Sequence, residues 1–456
     1  MTAQTRITGP APEMMAVEHW PVSRLRPFSH NARVHSKKQI RQIADSIKKF
    51  GFTNPVLISD DDEIIAGHGR VEAARLLGME TVPTLRLSHL DATQRRAYVL
   101  ADNKLALNAG WDREMLAIEL QALVDASFDI EVTGFPLAEI DILLDEAQQA
   151  SPEPANDLED TAPDLGDPAL AVTRAGDLWL LGRHRLVCGD ARKSDAFTLV
   201  LSGERADLIF ADPPYNVPIE GHVCGLGRIR HREFAMGSGE MSSEAFTAFL
   251  QSTLGHAAAS CRDGAIAFVC MDWRHMEELL TAGRMVFSEL KNLCVWNKTN
   301  GGMGTFYRSK HELIFVFKAG SAPHTNTFEL GNAGRYRTNV WDYAGVNMLR
   351  RGRMEELAMH PTIKPVALVA DAIKDCSRRG EIVLDPFGGS GTTLIAAEKT
   401  GRLARLIEFD PAYCDQCVRR FEQIAGKRAR LSTSGHSFED VADERRSPPN
   451  GQQDTP

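Results

Sequence analysis

The chain reads as an α/β protein, a mostly parallel open sheet with helices on both faces, preceded by a smaller α+β module. Three observations predict this. From residue 177 onward, short apolar runs alternate with amphipathic stretches, the rhythm of strand–helix–strand units. One run, Ala206-Asp207-Leu208-Ile209-Phe210-Ala211, stops at Asp212-Pro213-Pro214-Tyr215-Asn216, where two prolines end a strand and fix the backbone beyond it. Another, Ile382-Val383-Leu384-Asp385, enters Pro386-Phe387-Gly388-Gly389-Ser390-Gly391-Thr392-Thr393 and then a helix-forming stretch. Strand, glycine turn and helix in that order put a ligand at the carboxyl ends of parallel strands.

Composition sets the outer bounds. The 456 residues are 43% hydrophobic and 25% charged, ordinary for a soluble chain with room for two or three domains. A net charge of −9 excludes a uniformly basic nucleic-acid coat but leaves room for a local basic cleft. No apolar run approaches the roughly 18 residues of a spanning helix, so no membrane partner is expected. The first 15 residues carry one arginine and no apolar segment, which is not a signal peptide. The eight cysteines are scattered, and the close pair Cys414 and Cys417 reads as two helix residues. No metal is expected, and a reducing cytoplasm is the default.

Residues 1–16 read as a flexible leader. A helix over 36–50 aligns Ile40, Ile43, Ala44, Ile47 and Phe50 on one face, with Ser36 as N-cap and Gly51 as its end. Strands follow over 55–58, 63–66 and 82–87. Between the last two, Gly67-His68-Gly69-Arg70 opens a helix over 71–77. A glycine turn that starts a helix and carries an arginine is a ready phosphate site. Over residues 17–110 the chain resembles the ParB/sulfiredoxin-like N-terminal domain, because Gly67-His68-Gly69-Arg70-Val71-Glu72-Ala73-Ala74 stands where that family carries its phosphate-binding signature. The resemblance implies a nucleotide or DNA at Gly67, His68, Gly69 and Arg70. His68 and Gly69 stand where partition proteins typically have an acidic residue and an arginine. Residues 111–148 read as a helical bridge, and 149–170 as an acidic, proline-rich linker with too few apolar residues to pack.

Residues 171–426 carry the larger domain. Runs over 178–181 and 184–188 form a hairpin about Gly182-Arg183, and Gly189-Asp190-Ala191 starts a loop. Asp212 and the Pro213 carbonyl can accept hydrogen bonds from an exocyclic amine, and Tyr215 can stack on the ring that bears it. That set suits methylation of a flipped-out nucleobase. Residues 217–242 form a long polar loop with Arg228 and Arg230, able to close over DNA or simply be solvated. Residues 319–359 break the alternation as a candidate target-recognition segment. They hold Arg335, Arg337, Arg350 and Arg351 with Trp341 and Tyr343, a set suited to phosphate contacts and base stacking. The turn from Gly388 to Gly391 is a Rossmann-type cofactor loop and not a Walker loop, since no lysine follows Gly391. Glu408 ends the next strand about 20 residues on, where an acid commonly holds ribose hydroxyls. Residues 427–456 turn basic and then polar, and are expected to fray.

Three stations now stand together: Asp212 to Tyr215, His360-Pro361-Thr362-Ile363-Lys364-Pro365, and Asp385 to Thr393. With them the larger domain resembles an amino-group DNA methyltransferase that uses S-adenosylmethionine. The tetrapeptide precedes the cofactor glycines, as in the permuted β class, and its leading aspartate resembles adenine-N6 members. The resemblance implies a Rossmann-like S-adenosylmethionine-dependent methyltransferase domain, double-stranded DNA as partner and a homodimer. It implies that Asp212, Pro213, Pro214 and Tyr215 hold the base. It implies that Asp385, Phe387, Gly388, Gly389, Gly391 and Thr392 cradle the methionine end of the cofactor, with Glu408 on the ribose. Lys364 and Pro365 line the cofactor side, and Asp190 lies near its adenine. Cytosine N4 as target, a DNA-binding regulator with an inactive body, and a nuclease fusion are the other readings.

Overall fold

The computed structural model describes residues 16–126, 128–150, 168–217, 239–298, 306–328, 336–344 and 364–446, with isolated positions at 160, 162, 163 and 165. The chain divides into two compact units, residues 1–150 and 151–456.

In the first unit, β1 (Val17–Pro21), β2 (Arg26–Pro27), β3 (Val56–Ile58), β4 (Glu63–Ala66) and β5 (Thr81–Arg86) form one sheet in the order β1-β5-β3-β4-β2. Val56, Ile58, Ile64, Val71, Ala74 and Val82 make its core. The helix Lys37–Phe50 starts at Ser36, whose hydroxyl accepts the Gln39 N–H at 3.1 Å. The helix His68–Leu76 starts after Gly67, at φ +102°. These helices approach closely because Gly69 lacks a side chain: a Cβ there would lie 3.0 Å from Ile43 Cδ1. The expected bridge has a core of its own, since the helices Arg113–Asp125 and Leu137–Ala150 bury Ala117, Leu120, Ile140, Leu143 and Leu144 together.

The second unit is built on a larger sheet. Its strands are β6 (Leu178–Leu181), β7 (His184–Cys188), β8 (Ala206–Ala211), β9 (Cys261–Met271), β10 (Glu289–Asn297), β11 (His311–Lys318), β12 (Val340–Asp342), β13 (Ile382–Asp385), β14 (Leu403–Glu408) and β15 (Ala429–Leu431). They run in the order β12-β10-β11-β9-β8-β13-β14-β7-β6-β15. The central five, β9 to β7, are parallel. β8 is buried on both faces: Ile209 and Ala211 join one core, Leu208 and Phe210 the other. The helix Ser243–Ala259 packs into the first core through Phe246, Leu250 and Leu254, and the helix Val366–Cys376 packs into the second through Leu368, Val369 and Ile373. β8 leads onward to β9 on one side, while its other neighbour, β13, comes from far later in the chain. The crevice over their carboxyl ends is where open α/β sheets bind ligands.

Three expectations are corrected. The tail does not fray from residue 427. β15 pairs antiparallel with β6, and Phe438, Val441 and Ala442 of the helix Phe438–Arg446 close the core beside Trp179. Its few apolar residues are spread among charges, so no period was visible. Part of the expected recognition segment belongs to the sheet: β12 lies parallel to β10, and Trp341 is only 4% exposed. The loop expected after Gly189 gives way to the helix Ser194–Leu201, held by Phe197 and Val200 in the core.

Candidate active site

The carboxyl ends of β8, β13 and β14 deliver Asp212, Asp385 and Glu408 to one edge of the sheet. Beyond β8 the chain turns on Asn216, which is buried and left-handed at φ +54°. Its side chain accepts the Gly239 and Met241 N–H groups at 3.1 and 3.2 Å and donates to the Met241 carbonyl at 2.8 Å. Asparagine tolerates that backbone and supplies both hydrogen-bonding roles. It holds the turn after β8 to residues 239–241, a role that its place in the sequence does not reveal.

Pro213 is buried and Pro214 half-buried. Around them lies a charged cluster. Lys364 Nζ donates to Asp212 Oδ1 and Oδ2 at 2.9 and 2.8 Å, and lies 2.9 Å from Glu312 Oε2. It also donates to the Tyr215 hydroxyl at 3.0 Å, and that hydroxyl faces Asp212 Oδ1 at 2.9 Å and Glu312 Oε2 at 3.2 Å. Lys298 pairs with the other Glu312 oxygen and lies over Trp296, 4.5 Å from the ring centroid. Burial opposes the charge on Lys364, but the carboxylates of Asp212 and Glu312 overcome it and raise its pKa. Burial pushes the Glu312 carboxyl up, yet Lys364 and Lys298 outweigh it and hold it at about 2. The Tyr215 hydroxyl is raised by burial and by the same two carboxylates, so it stays protonated. Lys364, expected on the cofactor side, thus reaches Asp212 at the end of β8, while Pro365 is the N-cap of the helix Val366–Cys376. Glu312 and Lys298 were not foreseen.

The glycine turn lies against β14. A Cβ on Gly388 would sit 3.3 Å from the Leu406 side chain, and Gly391, at φ +83°, starts the helix Thr392–Thr400. Phe387 packs against Phe249, and its N–H donates to Asp385 Oδ1 at 2.9 Å. Glu408 accepts the Gly389 N–H at 2.7 Å and the Asp410 N–H at 2.8 Å. Burial raises Asp385 to about 7, against hydrogen bonds from Thr393 and the Phe387 N–H. Burial likewise raises Glu408 to about 7. Neither is ion-paired among the described residues. Arg420, 1% exposed, reaches over from the helix Pro411–Ala425 and donates to the Ser390 carbonyl at 2.9 Å and to Thr392 Oγ1 at 3.3 Å. It braces the turn from another helix, and the sequence did not single it out. Asp190 follows Gly189, whose N–H donates to the Glu408 carbonyl at 2.8 Å, but its carboxylate is held by Arg192 at 2.8 Å.

The geometry determines what can be built here. Residues 206–419 match the N6/N4 family described as DNA methylase, residues 114–175 the ParB-methyltransferase HTH domain, and residues 10–104 the ParB N-terminal domain. The chain is a ParB-type domain fused to a DNA methylase. Its N-terminal part is similar to the Escherichia coli ParB-like nuclease domain-containing protein YnaK, 50% identical over 84 residues, 18% of this chain and 97% of that protein. Its C-terminal part is similar to the Escherichia coli DNA adenine methyltransferase YhdJ, 27% identical over 247 residues, 49% of this chain and 78% of that one. Among solved structures, a Thermus thermophilus putative DNA modification methylase complexed with S-adenosyl-L-methionine is 21% identical. The match covers 56% of this chain and 96% of that one at a TM-score of 0.37.

The methylase takes S-adenosylmethionine as methyl donor. The residues fit it: a turn where a Cβ at Gly388 would press on Leu406, flanked by a buried and a half-buried carboxyl suited to a cation and to ribose hydroxyls. Among the described residues, no group of three or more His, Cys, Asp or Glu side chains could hold a metal. No described helix is long and apolar enough to cross a membrane.

The expected DNA contacts divide. Arg228, Arg230, Arg335, Arg350 and Arg351 lie outside the described residues, as do His360 to Ile363. Arg337 is corrected: its guanidinium donates to Asp375 Oδ2 at 2.9 Å and to the Tyr343 hydroxyl at 3.2 Å and stacks on Trp341, so it is committed inside the domain. Trp341 and Tyr343, expected to stack on bases, are the partners that hold it.

In the first unit, Arg70 curls back over Gly67 and donates to the Asn54 carbonyl at 3.2 Å. His68 Nε2 accepts the Phe28 N–H at 3.2 Å, and burial lowers its pKa, so the ring is neutral.

Proposed function

We propose that the protein methylates adenine N6 in double-stranded DNA, with Asp212, the Pro213 carbonyl and Tyr215 handling the flipped base. The observation that carries this reading is a carboxylate at the end of β8, beside the strand that ends in the cofactor turn. An exocyclic amine is conjugated with its ring and is a poor nucleophile. Asp212 and the Pro213 carbonyl accept its hydrogens and draw it toward a tetrahedral, lone-pair-bearing nitrogen. The Asp212 carboxylate then stabilises the positive charge that grows on that nitrogen. The donor, when bound, supplies an electrophilic methyl on a sulfonium. Asp385 and the turn orient it toward the amine, and orientation contributes much of the rate. Adenine is favoured over cytosine by the aspartate that leads the tetrapeptide, and the similarity to YhdJ is consistent with it.

The test is mass spectrometry of nucleosides from unmethylated DNA incubated with protein and S-adenosylmethionine. N6-methyladenine is expected, lost in Asp212→Ala while cofactor binding persists. N4-methylcytosine would overturn the base, and no methylated base would overturn the reading. The ParB-type domain is the place for a nucleotide or DNA phosphate near Gly67 to Arg70, and the protein acts as a homodimer in the cytoplasm.

A further inference from the structure

Asp212 is not a vacant acceptor. Both of its oxygens accept a hydrogen bond from Lys364, at 2.9 and 2.8 Å, and Oδ1 accepts another from Tyr215 at 2.9 Å. An amine that uses Asp212 must compete with an ammonium already there. That ammonium has a second carboxylate at nearly the same distance, Glu312 Oε2 at 2.9 Å. The Lys364 side chain is 6% exposed and Glu312 16%, so water is a poor substitute for either partner. Glu312 is anchored from behind by Lys298, which keeps its remaining oxygen turned toward Lys364. The four charges balance as two ammoniums and two carboxylates, and Lys364 lies between the carboxylates.

Resting on the reading of Asp212 as the amine acceptor, we infer that Glu312 is a positioning residue that takes over the Lys364 ammonium when the target amine reaches Asp212. No covalent bond changes in this exchange. Lys364 trades one carboxylate for another across a short distance, and the freed Asp212 lone pairs receive the amine. Tyr215 is within reach of both carboxylates and can follow the lysine, its hydroxyl turning from Asp212 to Glu312. Without Glu312, Asp212 is the one carboxylate paired with Lys364 among the described residues, and the lysine holds it more tightly against the base.

The experiment is steady-state methylation of duplex DNA by the full chain. Glu312→Gln is expected to lower kcat/KM for DNA about tenfold to hundredfold, the worth of one charged hydrogen bond. S-adenosylmethionine affinity should stay within about twofold of wild type, since Glu312 touches no residue of the cofactor turn. Adding Lys364→Met to Glu312→Gln should restore part of the lost kcat/KM, because the competitor for Asp212 is gone. Glu312→Asp, which keeps a carboxylate, should stay nearer wild type than Glu312→Gln. Losses that multiply in the double variant, or equal losses for Asp and Gln, would overturn the handover and leave the Asp212 reading intact. Methylation that survives Asp212→Ala would overturn both.

Discussion

Alanine at position 391 would strain the glycine turn in two separable ways. Gly391 sits at φ +83°, where any side chain costs about 1–2 kcal/mol. The added methyl would also lie 2.6 Å from Cys417 Sγ, a buried atom of the helix Pro411–Ala425. Relieving that overlap costs about 1–3 kcal/mol more, as for other overpacked cores. The expected loss for Gly391→Ala is the sum, about 2–5 kcal/mol. Cys417→Ala removes the sulfur and leaves the new methyl 3.5 Å from Cys417 Cβ, an ordinary contact. In that background the overlap vanishes and only the backbone cost remains. The two substitutions together should therefore cost less than their sum by at least about 1 kcal/mol. The assay is urea unfolding of the transition that S-adenosylmethionine shifts, with cofactor affinity measured in parallel. Additivity within about 0.5 kcal/mol would refute the packing argument.

Cofactor affinity should depend on pH through Asp385 and Glu408, both raised to about 7 by burial. The ionised forms suit a cationic donor, so affinity should fall as pH drops from about 8 to 6, roughly tenfold for each carboxyl that must lose its proton. Calorimetry in buffers of different ionisation heat should record proton release on binding, and a flat profile would refute the assignment. Phe438→Ala should destabilise the methylase unit by about 3 kcal/mol through the lost packing on Trp179, whereas a frayed tail would show no change in urea unfolding. Arg337→Ala should cost about 1.5–3 kcal/mol of stability by removing the charged hydrogen bond to Asp375, with DNA affinity per folded molecule unchanged in a salt titration.

The parts of the site that were legible are those that interrupt an apolar run. Asp212 with its two prolines, and Asp385 with its glycines, break strands that are otherwise buried on both faces, and such breaks have few structural uses. Glu312 was not legible, because a charge at the start of an apolar strand reads as a solvent-facing end. Its partners Lys364 and Lys298 come from other segments, and ion pairs across the sheet leave no local period. Arg420 was hidden for the same reason: on an amphipathic helix one more arginine looks like the polar face. The arginine and aromatic residues around position 340 misled in the opposite direction. Arg337, Trp341 and Tyr343 had the composition of a nucleic-acid surface, yet they satisfy one another inside the fold. The strands and helices themselves were clear where burial imposed alternation. They were obscure in residues 427–446, where β15 is only Ala429–Leu431 and borrows its burial from Trp179 and Leu181.

Arg445 donates to the Val172 carbonyl at 2.6 Å and to Asp177 Oδ1 at 3.0 Å, so the place where the chain enters the methylase sheet is fastened to the place where it leaves. A sheet whose entrance and exit touch can be read as a closed loop of elements, with no structural need for one starting point. Joining residue 445 to residue 172 through a short linker and opening a loop between β8 and β13 would put the glycine turn first in the sequence while keeping each neighbour relation in the sheet. The order of the two motifs along this chain is then a matter of where the ring was cut, and a permuted protein that folds and methylates DNA would be its direct expression.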